Sequence, residues 1–148
     1  MNIQELTDRI ELRTLIDQVS ILADQKDFVR QTQLFTENGC SETYERGKLL
    51  LKLEGRVAMQ TAFNEFLSEF EMVYHFNGQQ TVEVNGDQAR GQVYCLITLI
   101  SVQKGNTIRR TIGANYQDEY VRANGHWLIA KRIGSFEWQD QSPSIKMI

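Results

Sequence analysis

His75 is the residue of this chain best suited to acid–base chemistry. It is one of two histidines among 148 residues, and it lies near the start of a predicted strand that ends at the Asn85–Gly86 turn. Imidazole has an unperturbed pKa of about 6.5, so a histidine can both accept and return a proton at neutral pH. The competing interpretation is a structural histidine at a sheet edge. His126 follows Asn124–Gly125 in a predicted turn, and we expect it to be exposed and without a role.

Composition narrows the class of protein. The chain has 148 residues, 41% of them hydrophobic and 9% aromatic, which is typical of one compact domain. A net charge of -3 without a run of lysine or arginine argues against nucleic acid as a partner. No stretch of about 18 apolar residues occurs, and the first residues lack the pattern of a signal peptide. We therefore expect a cytoplasmic protein that does not bind a membrane.

No cofactor or metal site is predicted. Cys40 and Cys95 lack the partner spacing of a metal site, and we interpret both as reduced packing residues. Two histidines fifty residues apart do not make a zinc site, which usually needs three or four ligands. The sequence also lacks a glycine-rich phosphate loop and a flavin or nicotinamide fingerprint.

The first half of the chain predicts mainly helices. Apolar spacing indicates a helix from about Ile3 to Lys26 and a shorter one over residues 27–35, where Phe28, Gln31 and Phe35 share a side. Residues 40–44 and 48–53 are compatible with a small hairpin. A third helix is expected after Gly55, because an apolar stripe follows it.

The second half predicts four long strands. From Met72 onward the apolar period changes to two, and turn signals at 85–87, 104–106 and 124–125 separate the strands. We therefore predict an α+β roll in which a curved antiparallel sheet wraps around the N-terminal helices and lines a cavity. We place one domain at 1–138 and a tail at 139–148. Residues 136–148 could form a loose lid, a dimer contact or a disordered end.

Six segments in a particular order carry a family resemblance. They are Ala23–Phe28, Leu34–Gly39, Leu53–Met59, His75–Gly78, Val82–Ala89 and Gly125–Arg132. In this order, across roughly residues 3 to 138, the chain resembles the SnoaL-like branch of the nuclear transport factor 2-like superfamily. The resemblance implies a cone-shaped α+β barrel with a pocket open at one end. Scytalone dehydratase, polyketide cyclases, steroid isomerases and the small subunit of ring-hydroxylating dioxygenases share that fold, so the fold does not specify the reaction.

The resemblance also implies a catalytic pair. Scytalone-dehydratase-like members use an aspartate near the end of the first helix and a histidine at the start of a sheet strand, and Asp24 and His75 match these positions. A carboxylate that orients an imidazole suits removal of a proton beside a carbonyl. The competing interpretation of Asp24 is a solvated residue in the last turn of the helix.

The chain departs from this dehydratase pattern in two respects. No histidine lies between residues 93 and 121, where such sites have a second one, and Ala23 stands where relatives often have tyrosine. Polarisation of the carbonyl must then come from another group. Tyr44, Tyr94 and Tyr116 are candidates for substrate binding, because each lies on a predicted strand and a phenol can donate to an enolate oxygen.

Arginine supplies a further candidate. Arg109 and Arg110 are adjacent on a predicted strand and must face opposite sides. One of them, which we expect to be Arg110, could reach the cavity mouth and hold an anionic substrate. The alternative is a solvated face of the sheet.

Three functional hypotheses follow. The first is a cofactor-independent lyase or isomerase acting on a small hydrophobic hydroxy-ketone or polycyclic substrate, with His75 as acid–base and Asp24 orienting it. The second is a binding protein for such a ligand without catalysis, and the third is an assembly subunit with a filled or shallow cavity. Both faces of the strand at 93–100 are apolar, so we expect a homodimer, with a trimer as the alternative.

Overall fold

The structure, a computed structural model, describes residues 1–143 and 146–148. Its elements are α1 (Ile3–Asp24), α2 (Phe28–Thr32), β1 (Phe35–Glu45), β2 (Lys48–Glu54), α3 (Arg56–Leu67), β3 (Met72–Asn85), β4 (Gln88–Gln103), β5 (Asn106–Ala123) and β6 (His126–Pro143). The three predicted helices and the four long strands of the second half are confirmed. In the part of the chain described, no helix combines the length and apolar character that crossing a membrane requires.

One six-stranded sheet carries the fold, in the order β2-β1-β6-β5-β4-β3. The predicted meander is present as the antiparallel pairs β3–β4, β4–β5 and β5–β6. β1 lies parallel to β6, so the whole sheet is mixed, and its edge strands β2 and β3 do not close it into a barrel. The parallel pair joins segments about 90 residues apart, and such non-local pairing leaves no local sequence signal.

The N-terminal helix α1 packs across the concave face of the sheet. Asn2 caps it, because its side chain accepts a hydrogen bond from the backbone N–H of Glu5 at 2.8 Å. Its buried positions Leu12, Ile16 and Val19 recur at helical spacing and belong to the main core. The helix therefore presents one apolar side to the sheet, and the α+β roll expected from the sequence is confirmed.

The second helix is shorter than predicted and β1 begins earlier. α2 ends at Thr32, and β1 starts at Phe35, which pairs with Ile129 of β6 and is fully buried. Burial of this phenylalanine in the sheet outweighs the local helical pattern, which is a weak determinant. The predicted hairpin is present, and its turn residues Arg46 and Gly47 both have positive φ, 52° and 73°.

The C-terminal strand extends beyond the domain boundary expected at residue 138. Residues 136–143 continue β6 and pair with β5 as far as Ile108–Pro143. The interpretation of 136–143 as a loose or disordered segment is therefore wrong, since a regular ladder holds these residues. Residues 144 and 145 of the expected tail lie outside the described residues.

Candidate active site

Asp24 and His75 form a hydrogen-bonded pair at the junction of α1 and β3. The distance between Asp24 Oδ1 and His75 Nδ1 is 2.6 Å, and the backbone N–H of His75 donates to both carboxylate oxygens at 3.0 and 3.2 Å. An ionised carboxylate only accepts hydrogen bonds, so Nδ1 is the protonated ring nitrogen. Nε2 of the neutral ring therefore carries the lone pair that could accept a proton.

Polar contacts between α1 and β3 set the position of this pair. Arg13 donates to the carbonyl oxygen of Gly78 at 2.7 Å, and the Asn77 side chain donates to Asp17 Oδ1 at 3.0 Å. The two contacts lie two and three residues past His75 along β3, where the ladder with β4 shifts register. These contacts fix the position of β3 along the axis of α1, and so they hold His75 opposite Asp24.

His75 lies in the wall of an apolar cavity of about 300 Å³. α1, α2, α3 and the concave face of the sheet supply its walls, and the phenylalanines among its lining residues are Phe35, Phe63, Phe66 and Phe136. The polar residues of the described wall are Ser20, Gln31, Ser41, Thr43, His75, Tyr116 and Arg132. A mainly apolar cavity with a few polar groups is typical of a small-molecule site.

A larger groove lies on the other face of the sheet. It has a volume of about 670 Å³, and charged side chains such as Glu83, Arg90 and Lys131 line it. Because it is polar and lies opposite the Asp24–His75 pair, it is not the place where that pair would act.

Arg132 is a buried cation in the cavity wall. Its Nε and Nη2 donate to the two oxygens of Asp118 at 2.8 and 2.9 Å, and the Tyr120 hydroxyl donates to the same carboxylate at 2.8 Å. Burial by itself would lower the pKa of Arg132, but the Asp118 charge outweighs it and raises the pKa, so the guanidinium stays charged. Nη1 makes no hydrogen bond to a described residue, and Arg132 is among the residues that line the cavity.

Tyr116 lies in the cavity wall, as expected for a substrate contact. Its ring stacks on the Arg132 guanidinium, with the guanidinium carbon 4.1 Å from the ring centroid. Burial raises the pKa of the phenol well above its ordinary value, so the hydroxyl is a neutral donor at physiological pH. Arg132 and Tyr116 therefore place two donor groups in one part of the wall.

The other two tyrosine candidates are corrected by the structure. Tyr94 is 49% exposed on the convex face, because its neighbours Val93 and Cys95 are the residues of β4 that point inward. Tyr44 also faces away from the cavity, and its hydroxyl donates to Glu42 at 3.2 Å. The side chains of a strand alternate between its two faces. Because both sets contain apolar residues in these strands, the sequence did not show which set faces the cavity.

Arg110 does not line the cavity, contrary to the expectation of a substrate contact at its mouth. Its guanidinium carbon lies 5.9 Å from the ring centroid of Phe66 and 5.5 Å from that of Phe70. Phe66 is part of the cavity wall, so the arginine sits behind an aromatic side chain. Arg109, on the opposite face of β5, is exposed.

Gln31 and the Arg132–Asp118 pair were missed as site residues. Gln31 lies on α2 in the cavity wall, and the sequence signal was a glutamine sharing a helical side with two phenylalanines. Asp118 and Arg132 are direct partners in the β5–β6 ladder. Opposite charges at paired inward positions could have identified them, but only once the register was known.

The remaining histidine and the cysteines are not part of this site. His126 is exposed at the start of β6, as predicted. Burial raises the pKa of the Cys95 thiol to about 11, which keeps it protonated and unreactive. Within residues 1–143 and 146–148, no three His, Cys, Asp or Glu side chains are arranged to hold a metal ion.

Comparisons with known proteins agree with the fold and with the resemblance. A protein of Mycobacterium tuberculosis (strain H37Rv) described only as uncharacterized is 25% identical over 134 residues, which cover 90% of this chain and 88% of that one. A solved structure from Novosphingobium aromaticivorans, provisionally described as a scytalone dehydratase, superposes with a TM-score of 0.83 at 16% identity, covering 95% and 91% of the two chains.

A second solved structure is the LinA-type3 hexachlorocyclohexane dehydrochlorinase of Novosphingobium barchaimii. It superposes with a TM-score of 0.79 at 20% identity, covering 97% of this chain and 96% of that one. At such identities the two structures show the fold alone. The model of the SnoaL-like domain matches residues 4–133, so the chain belongs to the SnoaL-like domain family.

Proposed function

We propose that this protein is a cofactor-independent lyase or isomerase acting on a small hydrophobic hydroxy-ketone or polycyclic substrate. The observation that carries the proposal is the 2.6 Å hydrogen bond between Asp24 and His75, whose ring lies in the wall of an apolar cavity of about 300 Å³. The cavity has room for a molecule of about two fused rings.

The reaction begins with removal of a proton from carbon. Nε2 of His75 takes the proton beside the carbonyl, and the Asp24 carboxylate stabilises the imidazolium that forms. The negative charge moves to the carbonyl oxygen, which accepts hydrogen bonds from Arg132 Nη1 and the Tyr116 hydroxyl. These two donors take the place of the tyrosine and second histidine of the dehydratase pattern.

The second step decides between the two reaction classes. In a lyase, the C–O bond of a β-hydroxyl breaks as the C=C bond forms, and the imidazolium Nε2–H protonates the departing hydroxide to give water. In an isomerase, the same proton returns to a different carbon. Neither route needs an oxidant or a reductant.

The relatives support the class of reaction but not the substrate. One structural neighbour is described as a scytalone dehydratase and another as a hexachlorocyclohexane dehydrochlorinase, and both names denote elimination reactions. A fold shared with such enzymes raises the expectation of a lyase by analogy.

A ligand-binding protein without catalysis is the second candidate. The observation that favours it is that His75 is the one histidine in the described cavity wall, whereas dehydratase-like sites use two. An assembly role fits less well, since it predicts a filled or shallow cavity.

Proton exchange tests the proposal directly. We expect the protein to accelerate deuterium incorporation from D2O at the carbon next to the carbonyl of 3-hydroxyindan-1-one, as measured by NMR. Elimination from the same compound would give indenone and water. His75→Gln should lower the exchange rate by about 10²-fold or more, the usual contribution of a general base. The control His126→Gln changes the exposed histidine and should leave the rate unchanged.

One result would decide against an enzyme, and another would decide against His75 as its base. If 3-hydroxyindan-1-one and related bicyclic hydroxy-ketones bind but neither exchange nor eliminate, the protein is a binding module. If exchange occurs at the same rate in His75→Gln, the base is another group.

A further inference from the structure

Gln31 carries an unpartnered hydrogen-bond acceptor in the wall of the cavity. The residue is only 6% exposed, and its Oε1 atom is buried without a hydrogen-bond partner among the described residues. Gln31 lines the same cavity as His75, Tyr116 and Arg132. Buried polar groups are normally paired, so an orphaned acceptor in a small-molecule cavity calls for a ligand that satisfies it.

The orientation of the amide is set by the protein. Gln31 Nε2 donates to the backbone carbonyl of Val19 at 3.3 Å. A flipped amide would place Oε1 against that carbonyl oxygen, and two acceptors repel each other. The unpartnered atom is therefore the oxygen, which can only accept.

The helix that carries Gln31 is held in place at both ends. Asp27 caps α2 by accepting from the backbone N–H of Arg30 at 3.1 Å, and the Thr32 hydroxyl donates to the carbonyl of Phe28 at 2.9 Å. Phe28 is itself buried in the core. Because α2 is anchored in this way, moving the Gln31 side chain out of the wall into solvent would cost free energy.

From these contacts we infer that Gln31 selects ligands that carry a hydroxyl group, by accepting a hydrogen bond from it at Oε1. The inference rests on the proposed function in so far as the cavity must bind a small apolar molecule. It adds a third point of recognition: Arg132 donates to an oxygen of the ligand, His75 takes its proton, and Gln31 accepts from a hydroxyl. The ligand class is therefore an apolar ring system with at least one O–H donor.

Matched naphthalene probes test this. 2-Naphthol and 2-methylnaphthalene differ by a hydroxyl and a methyl of similar size, and fluorescence titration gives their dissociation constants. We expect the preference for 2-naphthol, expressed as the ratio of the two affinities, to fall about tenfold in Gln31→Met, which keeps the size of the side chain and removes its acceptor. Gln33→Met, an exposed position two residues along, should keep the wild-type ratio.

A second measurement uses the unmodified protein and does not depend on the folding of the variant. The 13C resonance of the Gln31 side-chain carbonyl should shift on addition of 2-naphthol and stay in place with 2-methylnaphthalene. Equal ratios in wild type and Gln31→Met, equal carbonyl shifts with both probes, or no binding of 2-naphthol would each overturn the inference.

The tests of the inference and of the proposed function can be separated. His75→Gln should lower the rate of deuterium exchange about 10²-fold or more but keep the preference for 2-naphthol, because His75 and Gln31 lie on different elements. A protein that binds 2-naphthol through Gln31 yet shows no exchange on any hydroxy-ketone would be a selective binding module, and the inference about Gln31 would stand.

Discussion

Asp24 does two tasks with one carboxylate. It accepts from the ring of His75 and also from the backbone N–H of the same residue. The first contact orients the imidazole, and the second ties the start of β3 to the end of α1. A substitution can separate these tasks if it keeps the acceptor oxygen but removes the negative charge.

We predict different outcomes for Asp24→Asn and Asp24→Ala. Asparagine keeps an oxygen that can accept from the backbone N–H of His75, so the melting temperature of Asp24→Asn should stay close to that of the wild type. Its rate of proton exchange should fall about 10- to 100-fold, because the imidazolium loses its counter-charge. Alanine should lose a similar amount of activity and also about 1 to 3 kcal/mol of stability, because the backbone N–H loses its partner. Thermal denaturation and exchange rates measure both effects. Equal stability of the two variants would contradict the anchoring role.

At the scale of elements, the position of α1 depends on a buried carboxylate as well as on apolar packing. Asp8, almost fully buried, accepts from Arg122 Nη1 at 2.5 Å, from Trp127 Nε1 at 3.2 Å and from Gln4 at 3.0 Å. These bonds join the helix to β5 and β6. The position of the Asp24–His75 pair, at the other end of α1, therefore depends on this contact.

The Asp8 contact predicts a loss of stability in acid. Hydrogen bonding by Arg122 holds the pKa of Asp8 below its ordinary value of 3.8, against the opposing effect of burial. A carboxylate with a depressed pKa in the folded state stabilises the protein above its unfolded pKa, and the contribution is lost as the pH falls through the folded value. We expect the melting temperature to drop below about pH 4 in wild type, and Asp8→Asn to be less stable at pH 7 and less sensitive to acid.

Asp87→Asn is the matched control for this prediction. Asp87 pairs with the same arginine at 2.9 Å, but its side chain is 79% exposed. An exposed pair contributes little, so its loss should change stability only slightly. Equal acid sensitivity in wild type and Asp8→Asn would show that another group is responsible.

At the scale of the whole molecule, one part of the convex face of the sheet is apolar. Phe76, Tyr94, Leu96 and Trp138 come from β3, β4 and β6, and all are about half exposed or more. They line one groove on this face. Exposed apolar patches of this kind are typical of interaction surfaces, and a homodimer that associates through this patch is our prediction.

We predict that Leu96→Glu weakens self-association. The protein should elute as a dimer in gel filtration with light scattering at micromolar concentration, and the variant as a monomer, because a charge in an apolar interface is costly to desolvate. Thr81→Glu, on a more polar part of the sheet surface, should leave the mass unchanged. A monomeric wild type would contradict the homodimer, and a trimeric mass would favour the alternative.

The sequence by itself determined the type and order of the elements, because helical and strand periods are local properties of the chain. The turns expected at residues 85–87, 104–106 and 124–125 are present, with 86–87, 104–105 and 124–125 between the strands. His75 also stood out without the structure, since acid–base chemistry near neutral pH belongs to few residue types.

Only the tertiary structure decided which side chains share the cavity. The register of β4 turned Tyr94 outward, and the pairing of β5 with β6 set Arg132 against Asp118. Gln31 is a candidate ligand contact because its amide nitrogen donates to the backbone carbonyl of Val19 and its oxygen has no partner among the described residues, and only the structure shows this. The reason is geometric: a shift of one residue in a strand exchanges its two faces, and contacts between residues far apart in the chain depend on that register.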